Sequence, residues 1–289
     1  MVNWKVVRSH VNRKGKQGRA QMAKRIFAGK RVILTGASSG IGWYLASELV
    51  RAGAMVVITA RRGDRLQTLR QSFGNPQKRL IAVSGDITEV GHRQRLIATT
   101  VDELGGIDIV INNAGIGAIG NFEDASPERL RRIIEVNFFA VAELTRLALP
   151  HLRRGDQPAV CVVNSVLGHR AVPGKSEYCA AKFALRGWAE SLRVELQPSG
   201  IDVLSISPST TSSEFFGSLI DTAGAFVQPP RLFGSQSPER VAHSIFRALK
   251  GRKRDTILSP GGKALVWLSR LAPQLMDHLL LRYGMPAAC

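Results

Sequence analysis

The sequence predicts an α/β fold, in which a doubly wound parallel sheet of about seven strands forms a single domain with a C-terminal helical extension. Two observations support this prediction. Short apolar runs alternate with longer helical segments from residue 31 to about 260, and no repeat or linker divides them. The first apolar run is followed by a glycine-rich loop and then by a helix, which is the order of a phosphate-binding unit in such sheets.

Strands are predicted where short aliphatic and β-branched runs are bounded by Gly, Ser, Asp or Pro. These runs lie at 32–34, 54–59, 80–83, 108–111, 160–163, 201–206 and 256–258. Helices are predicted at 43–52, from Thr88 as N-cap to about Leu104, from Ser126 as N-cap through about Arg153, around Tyr178, and from Ser237 onward. Because helices separate the strands, we expect the strands to run parallel and to be covered on both faces.

The net charge of +18 is concentrated at the N-terminus, where residues 1–31 hold ten Lys and Arg and no acidic residue. Residues 1–30 are therefore predicted to form a solvated basic arm, with an organelle transit peptide as the alternative. Since residues 1–31 hold ten of the eighteen excess positive charges, no specific nucleic-acid binding is expected from the fold. Three scattered cysteines exclude a disulfide framework and a clustered metal site, so we expect no metal and a reducing, cytoplasmic location.

The loop after the first strand reads Thr-Gly-Ala-Ser-Ser-Gly-Ile-Gly at residues 35–42. Glycines let the backbone approach a pyrophosphate, and the positive end of the following helix stabilises its charge. The spacing Gly-x-x-x-Gly-x-Gly differs from the commonest dinucleotide fingerprint. Cofactor contacts are predicted at Gly36, Ser38, Ser39, Gly40, Ile41 and Gly42.

The second strand ends in Ala60-Arg61-Arg62, where an NAD-specific site would place an acidic residue. An arginine there accommodates a 2′-phosphate, so Arg61 predicts a preference for NADP(H) over NAD(H), with Ser38 as a second phosphate donor. The alternative is that both arginines merely cap a strand at the surface.

Small, amide and acidic residues follow several other predicted strands. Ligands in open α/β sheets bind in the crevice at the carboxyl ends of the strands. Further cofactor contacts are therefore predicted at Asp86, Ile87, Asn113, Ala114, Gly115 and Pro208. Asp86 is expected near the adenine edge.

A tyrosine and a lysine lie four residues apart on one predicted helix, at Tyr178 and Lys182. Side chains at this spacing share a helix face, so the ammonium can stabilise the phenolate electrostatically. Ser165 stands just beyond the fifth strand, thirteen residues before Tyr178. Asn137 lies between apolar neighbours on a predicted helix, where an amide is either a satisfied core residue or part of a site.

Two segments after the sixth strand have open interpretations. Residues 209–236 mix small polar and apolar residues, which fits either a mobile cover over an apolar substrate or a surface excursion. Residues 261–289 are predicted to form an amphipathic helical extension, broken at Pro273 and too polar to span a bilayer. This extension could close the substrate pocket, pack at a subunit interface or lie on a membrane surface. Its apolar stripe comprises Leu265, Leu268, Leu271 or Ala272, Leu275 and Leu279.

Taken together, these motifs resemble the short-chain dehydrogenase/reductase (SDR) family, in family order and with similar spacing from about residue 31 to 258. The resemblance implies a Rossmann-like catalytic domain over residues 31–260 and hydride exchange between a nicotinamide cofactor and an alcohol or carbonyl carbon. It also implies a homo-oligomer, a dimer or tetramer. The predicted substrate is small and apolar, and a peripheral membrane contact through the C-terminal segment stays open.

The same resemblance implies roles for individual residues. Tyr178 would be the general acid in reduction and the base in oxidation, with Lys182 lowering its pKa and holding the nicotinamide ribose. Ser165 would donate a hydrogen bond to the substrate oxygen, and Asn137 would anchor a proton-relay water. Asn113 would line the adenosine ribose region.

One departure from the family pattern follows the sixth strand. The chain reads Pro208-Ser209 where Pro-Gly is usual, and Ser213 stands where a threonine would contact the nicotinamide carboxamide. We therefore expect a catalytically competent oxidoreductase with an altered loop on the cofactor side. The alternative is a cofactor-binding regulatory protein that keeps the fold with little turnover; the four residues Ser165, Tyr178, Lys182 and Asn137 argue against it.

Overall fold

A computed structural model describes residues 23–74, 79–211 and 235–284. Seven parallel strands form one sheet in the order β3-β2-β1-β4-β5-β6-β7. The strands are β1 Arg31–Thr35, β2 Met55–Ala60, β3 Leu80–Ser84, β4 Ile109–Asn112, β5 Ala159–Val163, β6 Asp202–Ser207 and β7 Asp255–Ile257. The predicted Rossmann-like α/β fold is thus confirmed, and the strand order reverses between β1 and β4, where such sheets bind ligands.

The helices cover both faces of this sheet. They are α1 Gly40–Arg51, α2 Gly63–Gln71, α3 Val90–Leu104, α4 Pro127–Ile134, α5 Ala140–Leu152, α6 Ser176–Glu195, α7 Pro238–Lys250, α8 Pro260–Leu271 and α9 Pro273–Gly284. Neighbouring strand residues point to opposite faces. Leu34 packs with α1, α2 and α7, whereas Ile33 packs with α3, α5 and α6.

Two helix predictions need correction. Thr88 does not cap α3, because its N–H and its hydroxyl both donate to the Asp86 carboxylate. The N-cap of α3 is Glu89. The helix predicted to run from Ser126 to Arg153 is interrupted by a π-helical turn at Glu135–Phe139. Within that turn, the Asn137 amide nitrogen donates to the carbonyl oxygen of Ile133 at 2.9 Å. A side chain that takes a backbone acceptor in this way accompanies a local widening of the helix.

The predicted basic arm lies mostly outside the described residues, but its last part packs onto the fold. The Arg25 side chain is fully buried, where it donates to the carbonyl oxygen of Leu249 and pairs with Asp202. The ring of Phe27 lies 4.8 Å from that of Phe246. The prediction that residues 1–30 form a solvated arm is therefore wrong for Arg25 and Phe27, which are both buried. The buried charge of Arg25 is tolerated because it is paired with Asp202.

The C-terminal segment forms two helices separated at Pro273, as predicted. Leu265 is buried, whereas Leu271 is 78% exposed and Leu275 is 53% exposed. The predicted stripe is thus divided between an inner and an outer surface, and Met276 contributes a further buried side chain. Within the described ranges, no helix has the length and apolarity needed to cross a membrane.

Candidate active site

A crevice of about 990 Å³ opens at the carboxyl ends of the strands. It combines residues from the loops after β1 to β6 with residues from α6, α8 and α9. The predicted site residues that line it are Gly36, Ser38, Ser39, Gly40, Ile41, Arg61, Asp86, Ile87, Asn113, Ala114, Gly115, Ser165, Tyr178, Lys182 and Pro208. Gly42 and Asn137 lie behind this lining, and Ser213 lies outside the described residues, as does most of segment 209–236.

The glycine loop is held tightly against the loop after β4. Gly36 has φ +70°, and an added Cβ would lie 2.8 Å from the Cα of Ala114. A Cβ at Gly42 would lie 2.1 Å from the Gly36 carbonyl oxygen. Ser39 occupies the N-cap of α1 without a capping hydrogen bond from its side chain. Gly40 and Ile41, the first residues of α1, line the crevice, so the positive end of the helix dipole lies at the crevice wall.

Asn113 supports this loop directly. Its amide nitrogen donates to the carbonyl oxygens of Thr35 and Gly36 at 3.0 and 3.1 Å. The Thr35 hydroxyl in turn accepts from the backbone N–H groups of Asn113 and Ala114. Sequence reasoning missed Thr35, because a threonine at the end of a strand carries no signal of a partner about 80 residues away. Asn113 therefore shapes the site through the backbone that it holds.

Also in the crevice lining, Asp86 forms a charged cluster with Thr88 and Arg132. Its carboxylate accepts from the Thr88 N–H and hydroxyl and, at 2.8 Å, from the Arg132 guanidinium. Burial alone would raise the pKa of Asp86, but these hydrogen bonds outweigh burial and lower the pKa to about 2. Arg132 also lines the crevice and was missed, because α4 reaches the end of β3 only in the folded chain.

We expect Asp86→Asn to lower the free energy of unfolding by about 2 kcal/mol near neutral pH. Because the pKa of Asp86 is depressed in the folded state, the stabilisation is present above about pH 4 and is lost as the pH falls toward about 2. Urea unfolding of both proteins should therefore show a difference at neutral pH that shrinks in acid. Asp102→Asn, an exposed change on α3, is the control. A difference that stays equal at both pH values would contradict the prediction.

Two adjacent arginines follow β2 at the crevice wall. Arg62 donates to the hydroxyl of Ser39 at 2.7 Å and to that of Ser38 at 3.3 Å. Arg61 is exposed at the crevice lining. The guanidinium bound to the two serines thus belongs to Arg62, whereas the sequence analysis assigned 2′-phosphate recognition to Arg61.

The predicted catalytic side chains Ser165, Tyr178 and Lys182 lie together between the end of β5 and α6. The side chains of Ser165 and Tyr178 form a hydrogen bond. Burial raises the pKa of the Tyr178 phenol, and the bond to Ser165 opposes that rise only in part. Lys182 is 4% exposed, donates to the Val163 carbonyl oxygen at 3.2 Å, and lies 5.5 Å from the centroid of the Tyr178 ring. Burial lowers the pKa of Lys182 to about 8.

Asn137 is fully buried behind this group. Its amide nitrogen donates to the carbonyl oxygens of Ile116 and Ile133, while its Oδ1 has no hydrogen-bond partner among the described residues. A Cβ added at Gly115 would lie 2.8 Å from that Oδ1 and 3.8 Å from Lys182 Nζ. The Asn137 carbonyl and the Lys182 ammonium therefore face the same loop. A water bridging them would satisfy both groups.

These observations fit a nicotinamide dinucleotide. The close-packed glycine loop at the N-terminus of α1 suits its pyrophosphate, and the cluster of Arg62 with Ser38 and Ser39 suits a further anionic group. In addition, the buried Asn137 Oδ1, which has no partner among the described residues, lies near Lys182. Across the described residues, no group of three or more His, Cys, Asp or Glu side chains is placed to hold a metal ion.

Comparison with known proteins supports the same interpretation. A family model described as short chain dehydrogenase matches residues 30–223, which is more than half of the chain. The ketoacyl reductase HetN of Nostoc sp. is 29% identical over 262 residues, covering 89% of this chain and 90% of that protein.

Solved structures show the same fold. A short chain dehydrogenase/reductase from Burkholderia phymatum in complex with NAD has a TM-score of 0.77 at 21% identity, covering 92% of this chain and 100% of its own. A short chain dehydrogenase from Burkholderia cenocepacia J2315 in complex with NADP has a TM-score of 0.75 at 26% identity, with 91% and 100% covered. These structures hold NAD in one case and NADP in the other. Since the family match spans the strands and loops that build the crevice, the chain belongs to the short-chain dehydrogenase/reductase family of oxidoreductases, whose cofactor is a nicotinamide dinucleotide.

Proposed function

We propose that this protein is an NADP(H)-dependent oxidoreductase that interconverts a carbonyl and an alcohol on a small apolar substrate, with Tyr178 as the general acid and base. The carrying observation is the hydrogen-bonded pair of Ser165 and Tyr178 beside the buried Lys182, all on the crevice wall. When bound, the cofactor supplies or accepts the hydride.

The side chains of the protein would donate the proton to the carbonyl oxygen and return a proton from solvent to Tyr178. Tyr178 donates its phenolic proton to the carbonyl oxygen, and Ser165 holds that oxygen by a hydrogen bond. Burial raises the pKa of Tyr178, which is opposite to the lowering by Lys182 that the sequence analysis expected. The phenol is therefore protonated at neutral pH and has a proton to donate in the reduction direction. Lys182 would stabilise the phenolate that forms. Asn137 Oδ1 would accept a hydrogen bond from a water, and that water would return a proton from solvent.

Reduction is also the direction suggested by a relative whose name is ketoacyl reductase. The apolar character of the substrate is supported by the crevice lining. Aliphatic side chains enter it from the loops after β4 and before α6 and from α8 and α9, namely Ile116, Ile119, Val172, Leu265, Met276 and Leu279. Apolar lining with few polar groups is the usual composition of a small-molecule site.

The experiment that tests the activity follows NADPH absorbance with a panel of carbonyl compounds graded in size and apolarity. We expect turnover to increase with apolarity until the compound exceeds the crevice. Absence of NADPH-dependent turnover across the panel, and of NADP⁺-dependent oxidation of the matching alcohols, would contradict the proposed function.

Cofactor preference is expected to depend on the arginine and serine cluster after β2. Arg61→Ala and Arg62→Ala should each raise the KM for NADPH about 10- to 100-fold more than the KM for NADH, because a hydrogen bond to a charged group is worth about 1.5–3 kcal/mol. Arg65→Ala, an exposed change on α2 outside the crevice, is the control. Equal effects on both cofactors would remove the assigned arginine from 2′-phosphate recognition.

Three further predictions remain proposals: a cytoplasmic location, a homo-oligomer, and a peripheral membrane contact through α8 and α9. The exposed faces of these helices carry Trp267, Leu271 and Leu275, which support an apolar contact surface. Sedimentation with and without anionic vesicles separates self-association from membrane binding.

A further inference from the structure

A buried ion pair joins α4 to the first turn of the helix that carries Tyr178. The Arg129 Nε and Nη2 atoms both donate to Glu177 Oε1, at 2.9 and 2.6 Å. Each side chain is only 1% exposed. Glu177 immediately precedes Tyr178, and none of the proposed chemistry uses either charge.

The pair is hydrogen-bonded to a third part of the chain. Arg129 Nη2 also donates to the carbonyl oxygen of Asn121 at 3.4 Å, and the Ser176 hydroxyl donates to Glu177 Oε2 at 2.9 Å. Asn121 lies in the loop after β4, which supplies Gly115 and Ile119 to the crevice. The ion pair thus connects α4, this crevice loop and the start of α6.

Stability alone does not account for such a pair. Burying two charges costs several kcal/mol, and replacing both by apolar side chains of similar volume is often neutral or stabilising. What two forked, charge-assisted hydrogen bonds add is direction, since apolar contacts do not fix an angle. A carboxylate in the first turn of a helix is also favoured by the helix dipole.

We infer that Arg129 and Glu177 are positioning residues, which set the place of Tyr178 relative to Ser165 and to the crevice loop. This inference rests on the proposed function. A displacement of about 1 Å in a catalytic group can cost on the order of 100-fold in rate. Removal of the pair should therefore lower kcat and leave the affinity for NADPH unchanged.

The test uses the full chain and the carbonyl compound with the highest turnover in the NADPH screen. The first variant is the double change Arg129→Met/Glu177→Leu, which removes both charges and keeps apolar bulk. We expect a urea midpoint and an NADPH Kd close to wild type, with kcat reduced about 10- to 100-fold. The pH profile of kcat should also shift, because the surroundings of the Tyr178 phenol change, whereas a purely structural role would leave it in place.

A second variant, Arg129→Lys, keeps the positive charge and loses the forked geometry, so an intermediate loss of kcat is expected. Glu190→Gln is the matched control, because Glu190 forms a more exposed pair with Arg186 on the same helix. Surface pairs contribute little, so its kcat and pH profile should match wild type.

Two results would overturn the inference. One is a folded double variant, or a folded Arg129→Lys variant if the double variant does not fold, with wild-type kcat and pH profile. The other is loss of cooperative folding or of NADPH binding in both variants, which would make the pair a folding element. Neither result touches the proposed function, which fails instead if the wild-type chain shows no turnover.

Discussion

Tyr178→Phe is expected to lower kcat for carbonyl reduction about 10²- to 10⁴-fold and to leave the Kd for NADPH near its wild-type value. The change removes one oxygen atom, which is the proposed proton donor and the hydrogen-bond partner of Ser165 in the crevice. The aromatic ring and its packing remain, so folding should be unaffected. The measurement is steady-state NADPH oxidation together with NADPH titration of the free enzyme.

Tyr44→Phe is the control for loss of a phenolic hydroxyl, because Tyr44 lies 39% exposed on α1 and outside the crevice lining. Its kcat should match wild type. Wild-type carbonyl reduction by the Tyr178→Phe variant would show that another group donates the proton, and the assigned mechanism would be wrong.

The second large effect is expected from Gly42→Ala. The new Cβ would lie 2.1 Å from the Gly36 carbonyl oxygen and 2.7 Å from the Asn113 amide nitrogen. Backbone must therefore move, because two atoms cannot approach this closely. We expect the glycine loop to open, the affinity for NADPH to fall on the order of 100-fold, and the free energy of unfolding to fall by about 1–3 kcal/mol.

Gly91→Ala provides a matched comparison, since Gly91 also lies in the first turn of a helix, α3, but has no atom within 4 Å of an added Cβ. Its stability should stay equal or rise slightly, as alanine favours a helix over glycine. Equal NADPH affinity in Gly42→Ala and wild type would mean that the contact between α1 and the glycine loop does not hold the pyrophosphate site.

Much of this site could be predicted because its signals are local. The strands are short aliphatic runs in which consecutive residues, such as Ile33 and Leu34, pack on opposite faces of the sheet. Tyr178 and Lys182 share a helix face through their spacing alone. Glycines in a loop between a strand and a helix indicate a phosphate site without knowledge of any distant contact.

Other features depend on contacts between distant segments. Glu177 had no visible role in the sequence, because its partner Arg129 lies 48 residues away and on another helix. The sequence also could not decide whether Asn137 is a core residue or a site residue. In the fold, Asn137 lies in a π-helical turn, and its Oδ1 and Lys182 Nζ both lie next to Gly115. Likewise, Arg62 rather than Arg61 reaches Ser38 and Ser39, a matter of side-chain direction that two adjacent arginines do not reveal.

By itself, the sequence determined the parallel α/β fold, the glycine loop at the start of α1, and the presence of Ser165, Tyr178 and Lys182, because periodicity and spacing are properties of neighbouring residues. The tertiary structure alone decided how these residues are held. It placed Arg25 and Phe27 in the packed fold, tied Asp86 to Arg132, and set Arg129 against Glu177. The physical reason is that burial and pairing of charges depend on which segments meet across the sheet, and no local pattern records that.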